Sequence, residues 1–296
     1  MFDEYRNNQF KAYNDARKLL ISQPQLLIEL EQYLTEALRE VIGTEIKNIA
    51  KDYNEASFLY PFWQNYPPDN RGRMPRGDQF PWIEVGEHAV GDKLPRLLRK
   101  DFEVEEIGLP TGPDERIVVS NKRISELTNG LTSSAWLFID IKSAGPRDDA
   151  WHSVMSHNQI SGNGLWTKPT EGIKNNIMTA TGLRRSHPFH SSVPPLYVLS
   201  DGRVLPVINI VLKPVYGMES LAGKGGTGQP LSKIVTACIP NGLLLEENPA
   251  YLKKFPGLLF PGKDDKGKNP LKVRARVSFE ILTTINSWRV DVIKLK

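Results

Sequence analysis

Residues 135–142 read Ala135-Trp136-Leu137-Phe138-Ile139-Asp140-Ile141-Lys142: five apolar residues in a row, then an acid, an isoleucine and a base. A continuous apolar, β-prone run of this length is the pattern of a central strand covered on both faces. In a strand alternate residues share a face, so Asp140 and Lys142 point the same way. A carboxylate and an ammonium at the end of such a strand are costly to desolvate unless they pair with each other or with a metal. A second acid, Asp114, follows Pro113 on a turn feeding the next strand upstream, Arg116–Val119, with 25 residues between the two aspartates.

An Asp-x-Lys at a strand end with an aspartate about 25 residues upstream is the signature of PD-(D/E)xK nucleases. Two carboxylates make an oxygen-rich site suited to Mg²⁺, a hard cation that keeps several of its waters. Such an ion neutralises a scissile phosphate and acidifies a bound water, which a nearby lysine can orient or help activate. As a bare pattern the triplet also fits a surface salt bridge, so the rest of the chain has to decide.

Outward from this strand the chain divides by pattern. Residues 1–50 read as helical. Leu27, Leu30, Leu34, Leu38, Val41 and Ile42 recur at steps of three and four, with Glu29, Glu31, Glu36, Arg39 and Glu40 between them. Pro24, just after Ser22, sits where a helix can begin, and the pattern fits one helix ending near Gly43 or two broken there. Residues 53–82 interleave Tyr53, Phe58, Tyr60, Phe62, Trp63, Tyr66, Phe80 and Trp82 with five prolines. That run reads as an ordered loop whose rings fill a core or an interface, with base stacking as the rarer alternative. Arg71, Arg73 and Arg76 on it are solvated cations or phosphate contacts.

After residue 100 strand signals dominate: Phe102–Ile107, Arg116–Val119, Ala135–Ile141, Leu196–Leu199, Val204–Leu212, Lys233–Cys238, Val273–Leu282 and Arg289–Leu295, with a hairpin signal at Asp201-Gly202. Helices first and a mostly mixed sheet afterwards point to an α/β or α+β architecture, and the expectation taken forward is α/β. The loop Gly223–Gly228 is not a phosphate-binding P-loop, because Lys224 comes too early and Pro230 follows where a helix would have to begin.

Composition narrows the function classes. The 296 residues carry 38 Lys+Arg against 34 Asp+Glu, a formal charge of +4, so DNA binding is not advertised by net charge and a local cleft must carry the field. At 40% hydrophobic the chain can bury a large core, and it is predicted to be one domain over residues 1–296. In that domain residues 1–50 form the helical part and about 100–296 the catalytic and recognition core. The single cysteine, Cys238, excludes an intramolecular disulfide and a Cys-based zinc site. The N-terminus lacks the pattern of a signal peptide, and no apolar run approaches the roughly 18 residues of a membrane span. The expectation is a cytoplasmic protein with no membrane partner.

Several longer segments decide between signature and salt bridge. Residues 52–91, 108–116 (GLPTGPDER), 140–148 (DIKSAGPRD), 194–202 (PPLYVLSDG) and 261–265 (PGKDD) closely resemble the BglI family of type II restriction endonucleases, and the resemblance covers nearly the whole chain. It is weakest at the N-terminal helices, between Thr167 and Val193, and at the extreme C-terminus. It implies a PD-(D/E)xK restriction-endonuclease-like fold, a central mixed β-sheet flanked by helices, and a homodimer on double-stranded DNA. It also implies Mg²⁺ dependence with two ions per active site, and Ca²⁺ as a non-catalytic substitute. The reaction would hydrolyse both strands of the interrupted palindrome GCCNNNNNGGC or a close relative, leaving 3′ overhangs. Carried over by residue, Asp114, Asp140 and Lys142 match the catalytic triple; Asp114, Asp140, the Ile141 carbonyl and Glu87 match the metal-binding positions. For Glu87, three residues from Glu84 in a helix-like stretch, an ordinary solvated pair is the competing reading.

Sequence reading needs arginine or lysine for guanine and a carboxylate for the cytosine amine. Lys263, Asp264 and Asp265, then Arg274 and Arg276 alternating on one strand, supply both kinds. Lys263, Asp265, Arg274, Arg276 and Asp148 match the family's base-contacting positions. Arg184, Arg185 and His187 are left as phosphate contacts or solvated groups, and His152, His157 and His190 lack metal spacing. The rival readings are a structure-selective or repair nuclease on the same fold and a DNA-binding module without catalysis. The intact catalytic triple argues against the latter.

Overall fold

The computed structural model describes residues 2–58, 82–145, 148–217, 219–220, 227–228, 230–262 and 269–295. Residues 59–81 of the aromatic stretch, with Arg71, Arg73 and Arg76, the stretch 223–226, and Lys263, Asp264 and Asp265 lie outside these residues. The two ends of the aromatic stretch, 53–58 and Trp82, are helical instead of loop, because they continue the helix Pro24–Phe58 and open the helix Trp82–Val90. Two helices open the chain, α1 (Phe2–Ser22) and α2 (Pro24–Phe58). A shorter helix, α3 (Trp82–Val90), precedes the strands. Among the described residues fourteen strands follow: β1 (Glu103–Glu106), β2 (Glu115–Ser120), β3 (Ser134–Ile141), β4 (His152–Met155), β5 (Ile177–Thr181), β6 (Ser186–His190), β7 (Leu196–Val198), β8 (Val204–Tyr216), β9 (Glu219–Ser220), β10 (Thr227–Gly228), β11 (Leu231–Ile239), β12 (Leu259–Phe260), β13 (Ala275–Ser278) and β14 (Val290–Lys294).

The main sheet runs β1-β2-β3-β8-β11-β14, with β7 pairing the first residues of β8. Only β3 and β8 run parallel in it; the other pairs are antiparallel, so the sheet is mixed as expected. β4, β13 and β12 form a separate three-stranded sheet, and β5 and β6 a two-stranded one. The hairpin at Asp201-Gly202 joins β7 to β8, with Gly202 at φ +86°, a left-handed conformation that glycine adopts without strain. Among the described residues no helix is long and apolar enough to cross a membrane.

Helix α2 buries Leu27, Leu30, Leu34, Leu38, Val41 and Ile42 and does not stop at Gly43. It continues to Phe58, burying Ile46, Ile49, Ala50 and Tyr53 as well, so the helical part exceeds residues 1–50. A mid-helix glycine costs about 1 kcal/mol, and those additional buried side chains offset it several times over. The chain breaks instead at Gln23, with Pro24 opening the second helix as its fixed φ allows. Glu31 does not belong to the solvated face: it is buried and pairs with the buried Arg289 at 2.8 Å. The expected strand Val273–Leu282 is half helix, because Ser278 caps the turn Phe279–Ile285 by accepting from the Ile281 N–H.

Every residue of β3 is buried. Ala135, Leu137, Ile139 and Ile141 enter the large core shared with α1 and α2. Trp136 and Phe138 enter a smaller cluster with Val118, Val193, Leu205 and Val207, their rings meeting edge to face at 5.6 Å. Asp140 is next on that second face, and the alternation of the strand therefore delivers a carboxylate to the margin of an apolar cluster.

Candidate active site

The first carboxylate arrives by the turn before β2. Asp114 Oδ2 accepts from the backbone N–H of Ile141 at 2.7 Å, which locks the turn onto the end of β3. Asp140, 1% exposed, lies beside the Lys142 ammonium, with Nζ 2.8 Å from Oδ2 and 3.1 Å from Oδ1. Oδ1 also accepts from Gln159 Nε2. Oδ2 is buried without a well-aligned hydrogen bond. Burial pushes the Asp140 carboxyl up to about 6; Lys142 pulls it down and Asp114 adds to the rise. Glu115, beside Asp114, is raised to about 7, first by burial and then by Asp92 and Asp114.

The structure thus brings Asp114, Asp140 and Lys142 together around Ile141. Glu87 is half-buried on α3, whose Gly86 packs against Ser143 and Pro214 so closely that a Cβ there would meet Ser143 Oγ at 2.2 Å. Among the described residues no three His, Cys, Asp or Glu side chains converge as a metal cluster.

Next to the site a cavity of about 510 Å³ is lined by Lys142, Asp148, Asp149, His152, Lys213 and Arg276, among others. Two of the expected base-contacting residues, Asp148 and Arg276, therefore share a groove with Lys142. Asp148 Oδ2 accepts from the Gly145 N–H at 2.9 Å. Arg276 lies on β13, and Arg274 is exposed one residue before that strand, so the strand starts later than expected and carries only the second of the two arginines. The hairpin β5–β6 braces the ends of the segment that carries Lys263 and Asp265: Arg185 donates to the Gly262 carbonyl, and His187 Nε2 donates to the Arg274 carbonyl at 2.9 Å. His187 is buried and structural, not a solvated phosphate contact, because its ring hydrogen serves that carbonyl.

Sequence reasoning missed Gln159, which reaches Asp140 from beyond β4, and Lys213. The latter is 5% exposed on β8, and its Nζ donates to the carbonyls of Asp149 at 2.8 Å and His152 at 2.6 Å. Burial lowers the Lys213 ammonium to about 8. A lone cation inside the apolar stretch Val204–Tyr216 was the available signal; Gln159 offers none.

Two carboxylates and an ammonium at the end of a central strand of a mixed sheet form the constellation expected of a PD-(D/E)xK nuclease, and the fold around it is that of a restriction endonuclease. The profile of the family described as Restriction endonuclease BglI matches residues 8–293. The type II restriction enzyme BglI of Bacillus subtilis is 50% identical over 289 residues, covering 96% of each chain. The crystal structure of the restriction endonuclease BglI bound to its DNA recognition sequence superposes with a TM-score of 0.90 at 49% identity, covering 99% of each chain. The tetrameric restriction endonuclease SfiI bound to cognate DNA shares the fold, with a TM-score of 0.54 at 15% identity over 91% of this chain and 85% of that one. The chain belongs to the BglI family of type II restriction endonucleases.

Proposed function

We propose that this chain acts in the cytoplasm as a Mg²⁺-dependent, homodimeric, single-domain endonuclease. It cuts both strands of GCCNNNNNGGC or a close relative and leaves 3′ overhangs. The observation that carries the reading is the meeting of Asp114, the Ile141 N–H, Asp140 and Lys142 at the end of β3. The donor set fits a hard divalent cation. Both side chains offer carboxylate oxygens, and the buried Asp140 Oδ2, in a carboxyl pushed up by burial, has only an ammonium to answer it. Asp114 and Asp140, with the Ile141 carbonyl and in the fuller set Glu87, would hold two Mg²⁺ ions, and Ca²⁺ would occupy the same oxygens without supporting cleavage. When bound, Mg²⁺ supplies positive charge at the scissile phosphate and lowers the pKa of a coordinated water.

The protein's own groups do the rest. Asp114 fixes the strand end through Ile141, so the two carboxylates keep one geometry when DNA arrives. Lys142, its side chain 29% exposed, reaches from Asp140 into the groove and can donate to the attacking water or to a phosphate oxygen. Arg274 and Arg276 present forks for guanine O6 and N7, Asp148 and Asp265 accept from cytosine N4, and Lys263 adds a further donor for guanine. A palindrome needs a two-fold reader, hence the homodimer with one active site per strand.

Plasmid cleavage in Mg²⁺, with the ends mapped by sequencing, tests this directly. Discrete fragments ending within the interrupted palindrome support the reading. Cutting that depends on flaps or junctions would move the chain to structure-selective repair, and a mobility shift without cutting would remove catalysis.

A further inference from the structure

We infer that His152 is a positioning residue for Arg276, and that its uncharged ring sets the direction in which Arg276 presents its guanidinium to a base. The inference rests on Arg276 being a base contact. Arg276 Nη1 stands 2.8 Å from His152 Nε2. A guanidinium has donors only, so Nε2 must be the acceptor and carry no hydrogen. The ring hydrogen is therefore on Nδ1, which faces Asp149 Oδ2 at 3.0 Å and donates to it. Asp149 is fixed in turn, because its Oδ1 accepts from the Trp151 N–H at 2.7 Å. That bond first, and His152 after it, hold the Asp149 carboxyl below its usual range. Lys213 fastens the same turn from β8 through the Asp149 and His152 carbonyls.

Charged groups face the His152 ring or its backbone from three elements. Asp149 faces it from its own turn, Arg276 from β13, and the Lys213 ammonium lies behind its backbone on β8. The uncharged Phe260 ring packs on its edge from β12 at 5.8 Å, and Asp148 and Lys142 stand further along the groove. Taking away the Nε2 acceptor would leave Arg276 Nη1 without the group that fixes its direction, and discrimination at the base pair read by Arg276 should weaken.

The test is competition binding by the full chain in Ca²⁺ at pH 8, comparing the GCCNNNNNGGC duplex with singly substituted duplexes. Arg276→Ala comes first and should lower the ratio of the two affinities roughly tenfold at one base pair; no change there overturns the reading of Arg276 and the inference with it. With that loss in hand, His152→Ala should lower the ratio at the same base pair by about fivefold, and His152→Gln, whose Oε1 can accept from Arg276, should restore it. A His152→Ala protein that discriminates normally overturns the inference while leaving Arg276 a base contact. Should the alanine variant not fold, His152→Leu, which fills the space without an acceptor, takes its place, and normal discrimination by that protein overturns the inference equally.

Discussion

Replacing Asp140 by asparagine should make the metal-free protein more stable at pH 8 while destroying its activity. Asp140 is 1% exposed, and burial raises its carboxyl to about 6 despite the Lys142 ammonium beside it. Between the ordinary carboxylate range and that value the folded protein holds a proton that the unfolded chain has released. Stability therefore falls as pH rises through the interval, and the loss is complete above pH 6. An acid titrating near 6 instead of near 3.8 corresponds to a burden of ~3 kcal/mol at pH 8. Asparagine carries no charge at any pH, and its Oδ1 can still accept from Gln159. Lys142 loses its partner, but with its side chain 29% exposed it is solvated at little cost. At roughly 2 °C per kcal/mol for a domain of this size, Asp140→Asn in EDTA at pH 8 should melt up to about 6 °C above wild type. At pH 4 the gap should close. Adding Ca²⁺ should raise the wild-type melting temperature and leave the variant unmoved, since the charge that binds the cation is gone. A variant that melts at or below wild type in EDTA at pH 8, with a gap that does not vary with pH, would refute the account of Asp140 as a strained, cation-seeking carboxylate.

Lys142→Ala should abolish cleavage in Mg²⁺ while cognate binding in Ca²⁺ stays near wild type, because the ammonium serves the reaction and not base reading; gel cleavage and competition binding measure the two separately. Sedimentation of the protein on a cognate duplex should give two chains per DNA, and a single chain cutting both strands would contradict the two-fold reader. Gly43→Ala should stabilise the protein by about 0.5–1 kcal/mol in urea unfolding, because a Cβ there meets nothing within 4 Å and the helix runs straight through.

How much of this was legible in the sequence follows from how each feature is encoded. β3 was legible because both its faces are covered, leaving an uninterrupted apolar run. The register of Asp140 with Lys142 was legible because a strand repeats every two residues, and their ion pair spans that repeat. The end of α2 was not legible. Its continuation depends on what Ile46, Ile49 and Tyr53 pack against, and Gly43 records only a local preference. The strand expected over Val273–Leu282 failed at Ser278, where a hydroxyl able to cap a helix outweighs the β-prone residues after it. The short strands β4, β5 and β6 were invisible because their His, Ser and Thr residues carry little apolar alternation. The burial of Glu31 was not legible, since its partner Arg289 lies 258 residues away.

The same distinction separates the two halves of the candidate site. The catalytic half is built from neighbours along one strand plus one turn, so spacing nearly specifies it. The recognition half is built across strands: Lys213 on β8 holds the turn before β4, His152 on β4 meets Arg276 on β13, and Arg185 and His187 on the β5–β6 hairpin hold Gly262 and Arg274. Each of these contacts joins residues that only the folded topology makes adjacent, so no spacing rule reveals them. Lys213 and His187 donate to backbone carbonyls and His152 accepts from Arg276, so together they can hold Arg276 and the ends of the segment between Gly262 and Arg274 in place before DNA arrives. Preorganisation of that kind turns an arginine near a groove into one that can tell guanine from the other bases, because a guanidinium free to rotate could satisfy phosphate as readily as O6 and N7.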